Sequence, residues 1–420
     1  MNPLYEKMKV SVFERMSLAA AKHGAVNLGQ GFPDFGWPEE ILDEAARALK
    51  ESSNQYAPSR GLPQLREAIA DHYGRHFGQE LDPDHICVTS GATEALGAII
   101  LSAVEPGDEV VIFTPAYDSY APMIRRAGAT PREVALRPPG WRIERDALQA
   151  AVTPRTRAIL FNNPQNPTGR LFGADELQVI ADVAIAHDLT VISDEVWEHV
   201  LLNPPRNGEG GDHPKDGGGG VVQGSEPHPS ALRAATSPSR GGFVPLATLP
   251  GMAERTLKAG SAGKIFSLTG WKVGWIVASP ENAALAARAH QFLTFSTAPN
   301  LQAAVALGLS DGDSWIDPMR QRFARALKQM SEGLNAAGYA VLEPASTYFL
   351  CVDLRASGLE VDDETFAKAA VEQAGVATVP VSAFAEDNPS RHLVRLCFAK
   401  RDETIDAGVE AMARAREFFA

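Results

Sequence analysis

The sequence predicts an α/β protein built on a mainly parallel sheet, followed by a smaller α+β unit. Three observations carry that expectation. Short apolar runs alternate with helical stretches along much of the chain. Strands separated by helices need crossover connections, and crossovers make neighbouring strands parallel. The chain has 420 residues, enough for a large core and a second unit beside it.

The elements follow in order. A helix is expected over 63–75, with Pro63 in its first turn, where its missing N–H leaves no bond unmade. A strand over 86–88 leads into an apolar helix over 93–104. The turn Glu105-Pro-Gly-Asp108 then opens a β-branched strand over 109–113. Runs at 158–161 and 190–193 read as strands, with a helix over 174–187 between them, and a further strand closes at 276–278. Beyond a long helix over 315–337 come a strand over 348–353, a helix near 363–373, a strand over 393–398 and a last helix from 403. These final elements form the smaller unit. The expected division is an N-terminal arm over 1–45 that joins the smaller unit, a large unit over 46–305 and a small unit over 306–420.

Residues 203–242 break the pattern with ten Gly and six Pro. That composition lacks the apolar content to offset the entropy of ordering it, so the segment reads as a flexible surface insertion without catalytic role. A lid or partner-binding loop is the alternative. A long surface insertion is tolerated because closure entropy grows slowly with length.

With 39 basic and 52 acidic residues the formal charge is −13. An acidic surface disfavours nucleic acid and anionic membranes as partners without forbidding an anionic ligand at a local site. Cys87, Cys351 and Cys397 fit neither a disulfide framework nor a metal spacing and read as small buried thiols. The N-terminal stretch carries charges throughout and has no apolar signal core, and no apolar run is long enough to span a bilayer. The expectation is a cytoplasmic protein.

The chemistry-bearing residues cluster in motifs. In Ser261-Ala-Gly-Lys264-Ile-Phe-Ser-Leu-Thr-Gly-Trp-Lys272-Val-Gly, Lys264 sits among small and apolar residues. Alone it could be a lysine snorkelling from a loop; in a partly desolvated site it would have a lowered pKa and could form an imine with an aldehyde. Ser261 and Lys272 flank it, and both could reach one phosphate dianion. Thr89-Ser90-Gly91-Ala92-Thr93 follows a strand and opens a helix, where free amides can meet an anion, although a simple N-cap would look the same. Tyr117 follows the strand over 109–113, Asn166 lies in the Pro-stiffened turn Asn162-Asn-Pro-Gln-Asn166-Pro-Thr-Gly, and Asp194 ends the strand over 190–193. Ligands of open α/β sheets bind at that strand edge. Arg395 falls mid-strand among apolar residues, and a buried arginine needs an anionic partner, internal or external.

Taken together, Ser-x-x-Lys followed by Gly-Trp-Lys-Val-Gly, with the other motifs, resembles the fold-type-I, class I and II aminotransferases. Within them the chain is most like the branch of kynurenine/glutamine transaminases and methionine aminotransferases. The resemblance spans almost the whole chain apart from 203–242. It implies pyridoxal 5′-phosphate as cofactor and a mainly parallel seven-stranded sheet sandwiched by helices.

It also implies roles. Lys264 would carry the cofactor as a Schiff base and then act as base and acid. Gly91, Ala92, Thr93, Ser261 and Lys272 would hold the phosphate, Tyr117 would stack on the ring, Asn166 would contact the ring oxygen and Asp194 would pair with the ring nitrogen. Trp197 stands where the family has a tyrosine that also bonds the ring oxygen, and an indole N–H replaces only part of that hydroxyl. Arg395 would grip the substrate carboxylate, with Gly29 and Asn166 near the substrate. Tyr56 resembles a tyrosine that reaches the partner's cofactor phosphate and Phe295 a substrate-pocket aromatic, both given across a dimer interface, which implies a homodimer with shared active sites. Tyr117, Phe295, Tyr348 and Phe349 suggest a pocket for large side chains, and the implied reaction moves an amino group from a large apolar, sulfur-containing or aromatic L-amino acid (methionine, glutamine or kynurenine type) to a 2-oxo acid. An N-succinyldiaminopimelate aminotransferase and a cysteine-S-conjugate β-lyase are the alternatives. A transcription regulator on this fold is disfavoured by the charge and by a match that starts near residue 10.

Overall fold

A seven-stranded sheet runs through the larger part of the computed structural model, which describes residues 1, 3–6, 8, 10–202, 242–311 and 314–420. Its strands are β1 (Ile86–Thr89), β2 (Glu109–Thr114), β3 (Thr130–Ala135), β4 (Thr156–Asn162), β5 (Thr190–Asp194), β6 (Thr256–Ser261) and β7 (Gly274–Val277). They lie in the order β1-β7-β6-β5-β4-β2-β3. Pairs β2·β3, β2·β4, β4·β5 and β5·β6 are parallel, and β7 runs antiparallel to both neighbours. The seven-stranded, mainly parallel sheet implied by the sequence is therefore observed.

The strands are apolar at successive positions because helices cover both faces. Val110, Ile112, Leu160 and Ile192 join one core with Leu96, Ile99 and Ile100 of the helix Ala92–Ala103. The alternate residues Val111, Phe113, Ile159, Phe161 and Val191 join another with Leu177 and Ile180 of the helix Ala174–Ala186. Strand β3 was not among the expected elements. It forms the sheet edge, half of its residues face solvent, and Pro131, Arg132 and Glu133 mask its periodicity.

A second sheet holds β8 (Ala340–Leu342), β9 (Phe349–Asp353), β10 (Val379–Pro380) and β11 (Leu393–Cys397), in the order β10-β11-β9-β8 and antiparallel throughout. The long helix Ile316–Ala336 and the last helix Asp402–Glu417 pack against it through Phe323, Met330, Ile405 and Met412. The helix expected near 363–373 is Asp363–Ala369, continued by a π-helical turn over Ala370–Ala374. Val26–Asn27 pairs in parallel with Val376–Ala377, which brings the N-terminal strip to this second sheet. No helix among the described residues is long and apolar enough to cross a membrane. The Gly/Pro-rich insertion expected over 203–242 lies, but for Gly242, outside the described residues.

The topology sets up the site. Strands β1, β2, β4, β5 and β6 point the same way, so Thr89, Thr114, Asn162, Asp194 and Ser261 end along one edge. Strand β7 is reversed, and its start delivers Lys272 and Gly274 to that same edge.

Candidate active site

A cavity of about 310 Å³ opens at this edge. Among its lining residues are Gly91, Ala92, Thr93, Tyr117, Asn166, Asp194, Trp197, Ser261, Lys264, Lys272 and Arg395, drawn from both sheets and from segments far apart in sequence.

One end is built for an anion. Gly91 precedes the helix Ala92–Ala103 at φ 79°, and a side chain there would meet Lys272 Cε at 3.0 Å. The first amides of a helix have no intrahelical partner and sit at the positive end of its dipole. Lys272 Nζ lies 3.4 Å from Thr93 Oγ1. Burial lowers the Lys272 pKa against the opposing pull of Glu94. Ser261 ends β6 beside these groups.

The middle is organised by Asp194. Its main-chain oxygen accepts from Asn163 N at 3.0 Å and Asn162 Nδ2 at 2.9 Å. Its carboxylate accepts from Tyr120 Oη at 2.6 Å and Val196 N at 3.4 Å. Burial pushes its pKa up to about 6, although the Tyr120 bond opposes that. Lys264 faces the same space. Its Nζ donates to Tyr348 Oη at 3.1 Å and lies 4.5 Å from the centre of the Trp197 ring. Desolvation lowers its pKa to about 8.

Arg395 closes the far end. It is 0% exposed, donates to Asn166 Oδ1 at 2.8 Å and to Gly29 O at 2.7 Å, and leaves its buried Nε without a partner. Phe349 and Phe13 flank its guanidinium at 3.8 and 4.9 Å from their ring centres. No carboxylate among the described residues forms an ion pair with it, so an internal salt bridge does not account for its burial. Burial pushes its pKa down to about 10.

Tyr56 and Phe295 stand apart from this cavity. They meet edge to face at 5.4 Å, 85% and 42% exposed, outside its lining. Gly29 reaches the site through its carbonyl alone. Sequence reading did not single out Phe13 from the N-terminal helix Val12–His23, Phe32 within the strip over 27–35 or Tyr120 on Asp194, and it took Tyr348 as a pocket aromatic without its hydroxyl bond to Lys264. For Tyr120 a signal was available, three residues beyond Tyr117 in the same motif. Phe13 and Phe32 are single aromatics whose place depends on the chain's return from the second sheet.

These features define a class of protein, and the chain belongs to it: residues 23–412 match the family described as aminotransferase class I and II. Among named relatives, it is 40% identical over 415 residues to the probable N-succinyldiaminopimelate aminotransferase DapC of Mycobacterium tuberculosis, covering 96% of this chain and 95% of that one. It is 34% identical to the methionine aminotransferase of Escherichia coli, covering 98% of each. The solved structure of N-succinyldiaminopimelate aminotransferase from Mycobacterium tuberculosis superposes with a TM-score of 0.86 at 40% identity, over 98% of this chain and 99% of that one. The chain is a pyridoxal-phosphate-dependent transaminase.

The residues present fit that cofactor. The helix N-terminus with Lys272 and Ser261 suits a phosphate, Asp194 offers a buried carboxylate, and Lys264 is an amine with a depressed pKa. The orphaned Nε of Arg395 leaves room for a further anion beyond them.

Proposed function

We propose that this transaminase takes its amino group from a large apolar, aromatic or sulfur-containing L-amino acid and passes it to a 2-oxo acid. The observation that carries the proposal is the lining beyond Arg395 and Lys264, where Phe13, Phe32, Tyr117 and Phe349 supply aromatic surface. Among the described lining residues the only Lys or Arg are Lys264, Lys272 and Arg395. Apolar side chains gain from such surface, whereas a charged one would be left unpaired.

When bound, pyridoxal phosphate supplies the carbonyl that takes up the amino group and the ring that accepts electrons from the substrate α-carbon. Gly91, Ala92 and Thr93, with Ser261 and Lys272, hold its phosphate in this reading. Tyr117 covers its ring, Asn166 and Trp197 border the ring oxygen, and Asp194 faces the ring nitrogen. Arg395 binds the substrate carboxylate through its planar fork, exchanging one neutral acceptor for a charged one. Lys264 supplies the anchoring amine, and its Nζ takes the proton from the substrate α-carbon. A pKa near 8 leaves about a tenth of the amine unprotonated at neutrality, several hundredfold more than an ordinary lysine would offer.

Tyr56 and Phe295 belong to the same proposal. Two large, mutually packed aromatics exposed outside their own cavity support a homodimer in which each pair completes the partner's site. Identity supports a second donor, N-succinyldiaminopimelate, because the Mycobacterium tuberculosis relative is named for it at 40% over 96% of the chain. One experiment ranks the readings. The purified protein is loaded with pyridoxal phosphate and challenged with methionine, kynurenine, glutamine and N-succinyl-L,L-diaminopimelate. Bleaching of the visible band and kcat/KM are followed for each. The aromatic-lining reading expects methionine or kynurenine to lead. A lead of about tenfold or more by the succinylated donor replaces it with the second reading. Release of pyruvate from cysteine conjugates would reveal β-elimination.

A further inference from the structure

The Tyr348 hydroxyl stands between two groups that fix its direction. It donates to Gly31 O at 2.8 Å and accepts from Lys264 Nζ at 3.1 Å. A carbonyl oxygen can only accept, so the single phenolic proton is committed to Gly31. The lysine is therefore the donor in the second bond. An unprotonated amine that donates to Tyr348 keeps its lone pair out of that bond and free to face the cavity.

The surroundings hold this arrangement. Tyr348 is 1% exposed and meets Trp197, Phe349 and Phe323 edge to face at 4.5, 4.9 and 5.7 Å. The ring cannot swing away without opening that packing. Gly31 is held as closely, since a side chain there would lie 2.4 Å from Phe349 Cζ. Lys264 has no carboxylate within ion-pair distance among the described residues; Asp194 attracts it from further off, Arg395 and Lys272 repel it, and Cys397 lies nearby. Burial raises the Tyr348 pKa well above its ordinary value, so the hydroxyl keeps its proton.

We propose that Tyr348 is a positioning residue for proton transfer, its hydroxyl holding the free amine of Lys264 with the nitrogen lone pair turned toward the substrate α-carbon. The proposal rests on the transaminase reading in which Lys264 moves that proton. Tyr348 is not among the residues that line the cavity, and in this proposal it neither gains nor loses a proton. It supplies a fixed hydroxyl near the lysine where Trp197 supplies none.

Tyr348→Phe keeps the ring and removes the hydroxyl. Two quantities are read. The first is the split between kcat and KM for the amino donor, where kcat is expected to fall about tenfold with KM within about twofold, because only the transfer step is misaligned. The second uses the apoprotein, with acetylation of Lys264 followed by peptide mass spectrometry across pH. A hydroxyl that accepts from the amine favours its charged form, so the reaction midpoint is expected to move down by about half a pH unit in the variant. A fall in kcat with an unmoved midpoint would mean a structural effect only and would overturn the proposal, as would unchanged kcat. Should Tyr348→Phe fold poorly, difluorotyrosine at 348 keeps the shape and weakens the acceptor. The same downward shift, smaller, is then expected, and no shift again overturns the idea. The wild-type control separates the two levels. Wild-type turnover that survives acetylation of Lys264 would sink the lysine reading itself, whereas its loss alongside an unaffected Tyr348→Phe would sink this inference alone.

Discussion

Lys258 and Lys264 lie six positions apart on one stretch of chain, the first buried and the second partly exposed to the cavity, and their environments drive them in opposite directions. Lys258 points from β6 into a closed ionic cluster. Its Nζ pairs with Glu195 at 2.9 Å and, more closely, with Glu198, and lies 4.0 Å from the Tyr73 ring centre. Tyr73 Oη donates to Glu198 at 2.9 Å and accepts from Trp275 Nε1 at 2.9 Å. Burial alone would lower the Lys258 pKa, but the two carboxylates overcome it and raise it above the ordinary lysine range. Lys264 faces the cavity with a hydroxyl and an indole face in place of a carboxylate. Desolvation then wins, and its pKa drops to about 8. A fully partnered lysine is a structural charge; one left short of partners is a reactive amine.

The largest effect should come from Lys264→Ala. Transamination is expected to fall by on the order of 10³-fold or more, with the visible absorbance of the bound cofactor lost. Stability should move the other way. The folded pKa lies below the ordinary 10.5, so the folded apoprotein binds fewer protons between about 8 and 10.5, and this group's contribution improves as pH rises through that window. At neutral pH the variant apoprotein should therefore melt no lower than wild type. Retained turnover, or a clear loss of apoprotein stability, would erase the contrast between the two lysines.

Lys258→Met tests the other side. Removing one partner from a buried ion cluster leaves the carboxylates uncompensated, so unfolding free energy should fall by about 3–5 kcal/mol. Turnover per folded molecule should persist. The sign with pH is opposite to that of Lys264: a folded pKa above 10.5 gives stability that is complete below 10.5 and lost as pH rises through the folded value. Denaturant unfolding of both proteins at neutral pH checks this, and a loss under about 1 kcal/mol would show that the cluster adapts without its cation.

The contrast also marks how far sequence alone reaches. Most strands of the large sheet and their covering helices were legible because apolar runs, Pro and Gly turns and amphipathic spacing are local properties. Asp194 was legible as a strand end, and it does end β5 on the edge where Asn162 and Ser261 converge. Strand β3 was not, because an exposed edge strand carries no apolar signal. Lys258 carries no mark in its own segment, since Glu195, Glu198 and Tyr73 reach it from other parts of the fold. The pairing of Tyr348 with Lys264 spans 84 positions and runs through a hydroxyl, which no periodicity encodes. Residue type and local pattern suggest which side chains carry chemistry; tertiary partners decide which of two lysines does.

The smallest effect concerns another side chain that can carry positive charge, His290, which sits between the two extremes. Its Nδ1 meets the Glu94 carboxylate at 2.9 Å and its Nε2 meets Ser59 O at 2.7 Å. Both partners accept, an arrangement that favours the charged ring, in which both nitrogens donate. Glu94 also accepts from Ser90 N at 2.9 Å. The cation thus ties the anion-binding turn to the segment that bears Tyr56, while its own helix leads to Phe295. Burial acts to lower the His290 pKa, but the Glu94 bond and charge prevail and raise it. With the folded value above 6.5, its stabilisation is complete below 6.5 and lost as pH rises through the folded value. His290→Gln cannot titrate. Wild type should exceed it by about 1 kcal/mol at pH 6, discounted for solvent near Glu94, and the gap should close toward alkaline pH. Unfolding curves at several pH values read that gap directly. A gap constant with pH would mean that His290 acts by shape alone, which would leave no intermediate between Lys258 and Lys264.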